Sequence, residues 1–146
     1  MSDDPFNLQR FVDAQEDATI YARALGELRA GRKQGHWIWF VFPQIAGLGS
    51  SPMSLAYAIL SLDEARAYLA HPVLGPRLHE CTEALLAADP SASAEQILGG
   101  IDAIKVRSSM TLFHRAAPEE QPFASALTRF YSGLPDPETD RLLVGE

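Results

Sequence analysis

The sequence predicts an all-α fold, a single compact orthogonal bundle of about eight short helices. Apolar residues recur along most of the chain at the three-to-four-residue spacing of an amphipathic helix. Residues that favour helix starts and stops flank these stretches. The chain has 146 residues, and 47% of them are hydrophobic, which is the size and composition of one ordinary globular domain. We therefore expect a single helical domain over residues 1–146.

Two helices are predicted in the first thirty residues. Asp4 and Pro5 suit an N-cap followed by proline at the first helical position. A second helix is expected to start near Asp17 and to carry an apolar stripe. Gly31 follows that stripe, where glycine commonly ends a helix because it accepts a left-handed backbone.

Capping patterns mark several of the later helices. Ser61 with Glu64 matches the capping box, and so does Ser93 with Gln96. Asp136 followed by Pro137 predicts a final short helix. Apolar spacing predicts three longer helices, over residues 72–87, 101–115 and 119–131.

The segment at residues 36–44, HWIWFVFPQ, is the ambiguous one. Its aromatic and β-branched residues favour a strand, but no second segment offers a strand to pair with it. We therefore expect a buried helical turn or an extended segment here, and no sheet.

The large apolar residues of the predicted stripes form the expected core. They are Phe11, Leu25, Leu28, Phe40, Tyr57, Leu69, Leu78, Leu112, Phe113, Leu127 and Phe130.

Composition limits the classes of partner. A net charge of -7 and a pI near 5.0 oppose binding to the phosphate backbone, so we expect no duplex nucleic acid partner. No apolar run approaches the ~18 residues of a membrane span, and the acidic N-terminus does not resemble a signal peptide. The single cysteine, Cys81, fits a reducing compartment, and a cytoplasmic location is expected.

No motif predicts a metal or another cofactor. The four histidines lack the spacing of a zinc-binding helix, and one cysteine cannot form a CxxC pair. Cys81 lies among leucines and is interpreted as a buried, inert thiol. The paired serines do not lie in a nucleophile-elbow motif.

Several runs of sequence nevertheless resemble one family, domain of unknown function family 1810. They include LQRF at residues 8–11, HWIWFVFPQ at 36–44, GLGSS at 47–51, EARAYL at 64–69 and SSMTLF at 108–113. The resemblance runs from Phe6 to Leu143. It implies an all-α bundle and no established activity. A fainter similarity, confined to SSMTLF and the helical frame, links the chain to the NADAR group of helical proteins, which are associated with ADP-ribose glycosidic chemistry.

Three stretches, HWIWFVFPQ, GLGSS and KVRSSMT, hold many polar groups among apolar ones. We expect them to meet in one pocket that binds a nucleotide or ADP-ribose-like small molecule, with hydrolysis of that molecule as an open alternative. The expected site residues are Lys33, His36, Trp37, Gln44, Ser50, Lys105, Ser108 and Ser109.

Each group has an expected role. Trp37 would stack on a ring of the ligand, and the backbone amides of residues 49–51 would bind a phosphate. Lys105 would hold the charge, with Asp102 one turn earlier as its partner. Histidine is the residue type that usually exchanges a proton near neutral pH, so His36 is the candidate acid–base group. His36 and Lys105 are thus the expected catalytic residues.

A second hypothesis is a non-catalytic protein-interaction module that acts through an exposed groove. The acidic composition and the lack of an evident catalytic pair favour it. The two hypotheses differ in whether the three polar stretches converge on one pocket.

Overall fold

The computed structural model describes residues 4–144, and 66% of them are helical. The all-α prediction is confirmed. The α-helices are α1 (Gln9–Glu16), α2 (Ile20–Arg29), α3 (Ile38–Val41), α4 (Pro52–Ala56), α5 (Leu62–Ala70), α6 (Leu74–Leu86), α7 (Ala94–Leu98), α8 (Gly100–Ala116), α9 (Gln121–Tyr131) and α10 (Pro137–Val144). Short helices such as α3 and α4 raise the number above the expected eight, because they lie in segments whose sequence lacks a sustained helical period.

Helix α8 is the centre of the bundle. It packs against α3, α5, α7, α9 and α10. Since neighbours surround it, even polar side chains such as Ser109 and Thr111 are buried on it. With 17 residues it is also the longest helix described. Nowhere in residues 4–144 is a helix long and apolar enough to cross a membrane.

The first two helices begin later than their sequence signals. Asn7 has a positive φ of 52°, which interrupts the helical path, so α1 starts at Gln9 and not at Pro5. The Asp4 carboxylate still accepts hydrogen bonds from the backbone N–H groups of Leu8 and Gln9. Ala18 and Thr19 both have left-handed backbone conformations and belong to a short 3-10 turn over Asp17–Thr19. Helix α2 begins after this turn, at Ile20.

Gly31 ends α2 as predicted. Its φ is +74°, and the N–H of Arg32 donates to the carbonyl of Glu27 at 3.0 Å, which is the Schellman arrangement. The reversed chain then reaches α7, where the Lys33 N–H donates to the carbonyl of Ile97 at 2.7 Å. The turn that ends α2 therefore places Lys33 beside the start of α8.

The junction between α7 and α8 depends on another glycine. Ser93 and Gln96 form the predicted capping box at the start of α7. Gly99 has a φ of +87°, a conformation that a side chain disfavours, and it turns the chain directly into α8. The predicted Ser61 cap is also present, since its Oγ accepts a hydrogen bond from the Glu64 N–H at 3.1 Å.

The ambiguous segment contains the expected buried helical turn. Residues 38–41 form the one-turn helix α3, and the chain continues from Phe42 to residue 44 without regular secondary structure. Ile45 forms an isolated parallel bridge with Ile59, and no further β-structure occurs within residues 4–144. The bridge places the loop at residues 44–49 beside the segment that follows α4.

Most of the predicted core is buried. The exceptions are Tyr57, Leu69 and Phe130, which pack against the core but are only partly buried. Phe130 lies near the C-terminus of α9, and its ring contacts Tyr131 and the Arg129 guanidinium. Its truncation should therefore cost less than that of an enclosed ring such as Phe123.

Gly75 allows α5 and α6 to approach closely, and this gives a test of the fold. A Cβ at this position would lie 2.1 Å from the carbonyl oxygen of Leu69. We expect Gly75→Ala to lower the free energy of unfolding by about 3 kcal/mol, near the upper end of overpacking costs, because backbone must move. Chemical denaturation measures this loss.

Gly26→Ala is the matched control. Gly26 lies inside α2 with nothing within 4 Å of the added methyl group. This variant should gain about 0.5–1 kcal/mol, because alanine loses less backbone entropy in a helix. Equal effects of the two substitutions would contradict the close approach of α5 and α6.

Candidate functional site

One cleft brings together distant parts of the chain on the surface of α8. Its volume is about 320 Å³. We call it the α8 cleft. Its walls are formed by the loop beyond α3, one stripe of α8 and the start of α10. The lining residues are Trp39, Gln44, Leu48, Gly49, Ile101, Ile104, Lys105, Ser108, Asp136 and Glu138.

The stripe on α8 follows from helical spacing. Ile101, Ile104, Lys105 and Ser108 lie at i, i+3, i+4 and i+7, so they share one face of the helix. Ser109 lies off this stripe and is fully buried. Gly99 fixes where α8 begins and therefore which residues form the stripe.

Asp102 holds two lysine side chains beside the cleft. Its Oδ2 lies 2.7 Å from the Lys33 Nζ, and its Oδ1 lies 3.4 Å from the Lys105 Nζ. The Lys105 contact is the one predicted from sequence, whereas the Lys33 contact joins the loop after α2 to α8. Only 6% of the Lys33 side chain is exposed, against 21% for Lys105. Lys105 is therefore the lysine that reaches the cleft.

Each lysine also lies over a tryptophan ring. The Lys105 Nζ is 3.9 Å from the centroid of Trp39, and the Lys33 Nζ is 4.9 Å from that of Trp37. Both distances are within the range of a cation–π interaction. Trp37 is 2% exposed and packs against Phe42, whereas Trp39 is partly exposed and lines the cleft.

Carboxylates form the opposite end of the cleft. The Asp136 Oδ2 accepts hydrogen bonds from Ser108 Oγ at 2.7 Å and from Thr139 Oγ1 at 2.6 Å. Its Oδ1 accepts from the Glu138 N–H at 3.3 Å, so Asp136 also caps α10. Glu138 is paired with Arg141 at 2.8 Å. This end of the cleft offers hydrogen-bond acceptors, and the Lys105 end offers a cation.

Glu27 fixes the loop that carries Lys33 and Trp37. Its Oε1 accepts hydrogen bonds from the N–H groups of Gln34 and Gly35 and from Trp37 Nε1, at 2.7–2.9 Å. Burial opposes the charge on this carboxyl group. The N–H donors and the nearby Lys33 cation outweigh burial and hold the pKa of Glu27 below its ordinary value.

The predicted site residues do not all meet. Gln44, Lys105 and Ser108 line the α8 cleft, together with Gly49 of the GLGSS loop. Lys33 lies behind Lys105 and connects to it through Asp102. Ser50 lies one residue beyond the wall and is exposed.

The remaining predicted residues lie elsewhere. Trp37 is enclosed between Lys33, Glu27 and Phe42, so its ring has no free face towards the cleft. His36 is exposed and is not part of the cleft wall. Ser109 is in the core, where its Oγ has no hydrogen-bond partner among the described residues.

Sequence reasoning missed Trp39, the two isoleucines and the acidic end of the cleft. Ile101 and Ile104 share the helical spacing of Lys105 and Ser108, so the stripe was available as a signal. The choice of Trp39 over Trp37 depends on the short helix α3. No local pattern joins Asp136 to α8.

The other reactive groups and depressions of the described chain are poor candidates for a functional site. Burial raises the pKa of the Cys81 thiol to about 12, as expected of an inert core cysteine. In the part of the chain that the structure describes, no three His, Cys, Asp or Glu side chains are grouped to hold a metal ion. A larger depression of about 720 Å³ lies along α1, but it is shallow and lined mostly by that one helix.

These features define a small helical-bundle protein with a ligand-sized cleft beside the two lysines that share Asp102. Residues 5–143 match the family described as "Protein of unknown function (DUF1810)", and the chain belongs to this family. The chain is similar to the crystal structure of the conserved hypothetical protein Rv1873 from Mycobacterium tuberculosis. The two share 53% sequence identity over 97% of this chain and 99% of that chain, with a TM-score of 0.93. A search of curated proteins found no match.

Glu27 gives a test of how the loop beneath the site is held. Because its pKa is lower in the folded state, Glu27 stabilises the fold above its unfolded pKa of about 4.3 and loses this contribution as pH falls through the folded pKa. Glu27→Gln should cost about 1.5–3 kcal/mol at pH 7, the range for hydrogen bonds to a charged group. The difference from wild type should shrink below about pH 4.

Denaturant unfolding at both pH values measures the effect. Glu119→Gln, which removes an exposed carboxylate, is the control and should change stability little. A pH-independent difference for Glu27→Gln would show that the carboxylate charge does not hold the loop.

Proposed function

We propose that the protein binds a nucleotide-like or ADP-ribose-like small molecule in the α8 cleft. The observation that carries this proposal is the convergence of Gln44, Lys105 and Ser108, from two distant segments, on one cleft with an aromatic wall. A volume of about 320 Å³ is at the lower end of the usual range for ligand sites. It suits a nucleoside-sized part of a ligand.

The cleft residues suit the parts of such a ligand. Trp39 and Leu48 offer apolar surface for a ring, so Trp39 takes the stacking role first assigned to Trp37. The Gln44 amide both donates and accepts hydrogen bonds at a ring edge. The Lys105 ammonium group would leave its contact with Trp39 or Asp102 and pair with a phosphate of the ligand.

The acidic end suits hydroxyl groups. Asp136 and Glu138 are hydrogen-bond acceptors, and a ribose presents hydroxyl donors. Because His36 lies off the cleft wall, hydrolysis there would depend on Lys105 and these carboxylates. Binding is therefore the first property to measure.

Lys105→Met tests the proposal. ADP-ribose, NAD or AMP should raise the melting temperature of the wild-type protein, since a ligand at 100 times its Kd stabilises by about 2.7 kcal/mol. The variant should lose this shift while its unliganded melting temperature stays near that of wild type. Arg23→Met, which removes an exposed cation on α2, is the matched control and should keep the shift.

A second variant covers the case in which Lys105→Met unfolds the protein. Ile104 is 67% exposed at the edge of the cleft, so Ile104→Glu should leave the fold intact. Its charge should repel a phosphate-bearing ligand and reduce the shift. The proposal is wrong if none of the three ligands raises the melting temperature of the wild-type protein, or if both variants bind the ligands as the wild-type protein does.

A non-catalytic interaction module is the alternative function. It is favoured by the exposure of Ile101 and Ile104, 73% and 67%, next to the cleft. Neighbouring exposed apolar side chains are typical of contact surfaces. If no ligand raises the melting temperature of the wild-type protein, this alternative is favoured.

A further inference from the structure

Lysine use in this chain is unusual. The sequence contains ten arginines but only two lysines, Lys33 and Lys105. Both lysine amines meet on the same carboxylate, that of Asp102. The amine that reaches solvent does so at the wall of the α8 cleft.

A need for positive charge alone does not explain this choice of residue. Where the fold needs a cation to bridge backbone carbonyl oxygens of distant segments, this chain uses arginine. Arg10, Arg107 and Arg129 each donate to two or more backbone carbonyl oxygens of remote loops. A guanidinium has five donors in a fixed plane and suits such bridging better than an ammonium group. What lysine offers, and arginine does not, is an amine that can lose its proton and act as a nucleophile.

We propose that Lys105 Nζ condenses with the aldehyde carbon of an open-chain sugar or sugar phosphate in the α8 cleft to form an imine. This inference rests on the proposed function, and it specifies the substrate class of the same site. The convergence of both lysines on Asp102, with one amine open to the cleft, is the observation behind it.

The condensation is balanced without another reactant. The Lys105 ammonium group first loses a proton to water. The lone pair of the resulting amine forms the C–N bond, and the carbonyl oxygen takes up a proton to give a carbinolamine. The nitrogen then gives up its two remaining protons, and the oxygen leaves as water. The Asp102 Oδ1, 3.4 Å from the Lys105 Nζ, is placed to accept a proton from that nitrogen.

The rest of the cleft suits the hydroxyl groups of an open-chain sugar. The carboxylates of Asp136 and Glu138 are acceptors for hydroxyl donors, and the Gln44 amide can both donate and accept. Lys33 remains beneath the cleft as a second cation on Asp102. It holds that carboxylate in place, so it is a positioning residue.

Reductive trapping tests the proposal. The wild-type protein is incubated with ribose 5-phosphate and cyanoborohydride, which reduces an imine to a stable secondary amine, and the adducts are located by peptide mass spectrometry. With only two lysines in the chain, the α-amino terminus serves as an internal measure of non-specific reaction. We expect at least about tenfold more adduct at Lys105 than at the terminus, because binding orients the amine and the aldehyde. The rate should saturate with ribose 5-phosphate.

Two controls identify the site. Ribitol 5-phosphate has the same hydroxyl and phosphate groups but no carbonyl, so it should suppress trapping by competition. Lys105→Arg keeps the positive charge and should lose the adduct. Because the primary result is a peptide map of the wild-type protein, it stands even if this variant does not fold.

The outcomes separate this inference from the proposed function. If ribitol 5-phosphate or ADP-ribose raises the melting temperature but no Lys105 adduct exceeds that of the terminus, imine formation is wrong and ligand binding stands. If neither binding nor a Lys105 adduct is found, both are wrong. An adduct that grows linearly without saturation is non-specific glycation and also overturns the inference.

Discussion

The Asp102 carboxylate joins two parts of the chain that are far apart in sequence, and the arrangement of the cleft depends on it. Lys33 comes from the loop after α2, and Lys105 comes from α8 itself. The Lys33 side chain is almost fully buried, so its charge needs this partner. Through the Lys33 contact, the segment that leads into α3 is fixed against α8. Trp39 and Gln44 follow from that segment and form the wall opposite Lys105.

The same region shows how local backbone choices set the positions of distant groups. The left-handed turn at Gly31 reverses the chain after α2, and the Glu27 carboxylate then binds the N–H groups of the following loop. At the other side, Gly99 starts α8 in the phase that places Lys105 over Trp39. Two glycines and one carboxylate thus define the geometry before any ligand is considered.

Most of the fold could be predicted from sequence because its signals are local. The stop at Gly31 and the cap at Ser93 depend only on neighbouring residues, and both are present. The starts of α1 and α2 were displaced by left-handed residues at Asn7, Ala18 and Thr19. Asparagine is enriched in that backbone region, but alanine and threonine are not, so residue preference does not predict the start of α2.

The site was predictable only where it follows one helix face. Lys105, its partner Asp102 and Ser108 could be found from helical spacing. Trp37 and Trp39 could not be told apart, because the difference between them is set by α3 and its packing. Asp136 reaches the cleft through the path of the chain after α9, which is a tertiary feature.

The different environments of Trp37 and Trp39 have a spectroscopic consequence. These are the two tryptophans of the chain, one enclosed in the core and the other beside the cleft. Their indole emission therefore comes from two different environments in nearly adjacent residues. A small collisional quencher such as acrylamide would reach Trp39 first, and the emission that remains would shift towards the blue of the enclosed Trp37. The unmodified protein thus carries its own optical probe of the cleft, with an internal reference two residues away.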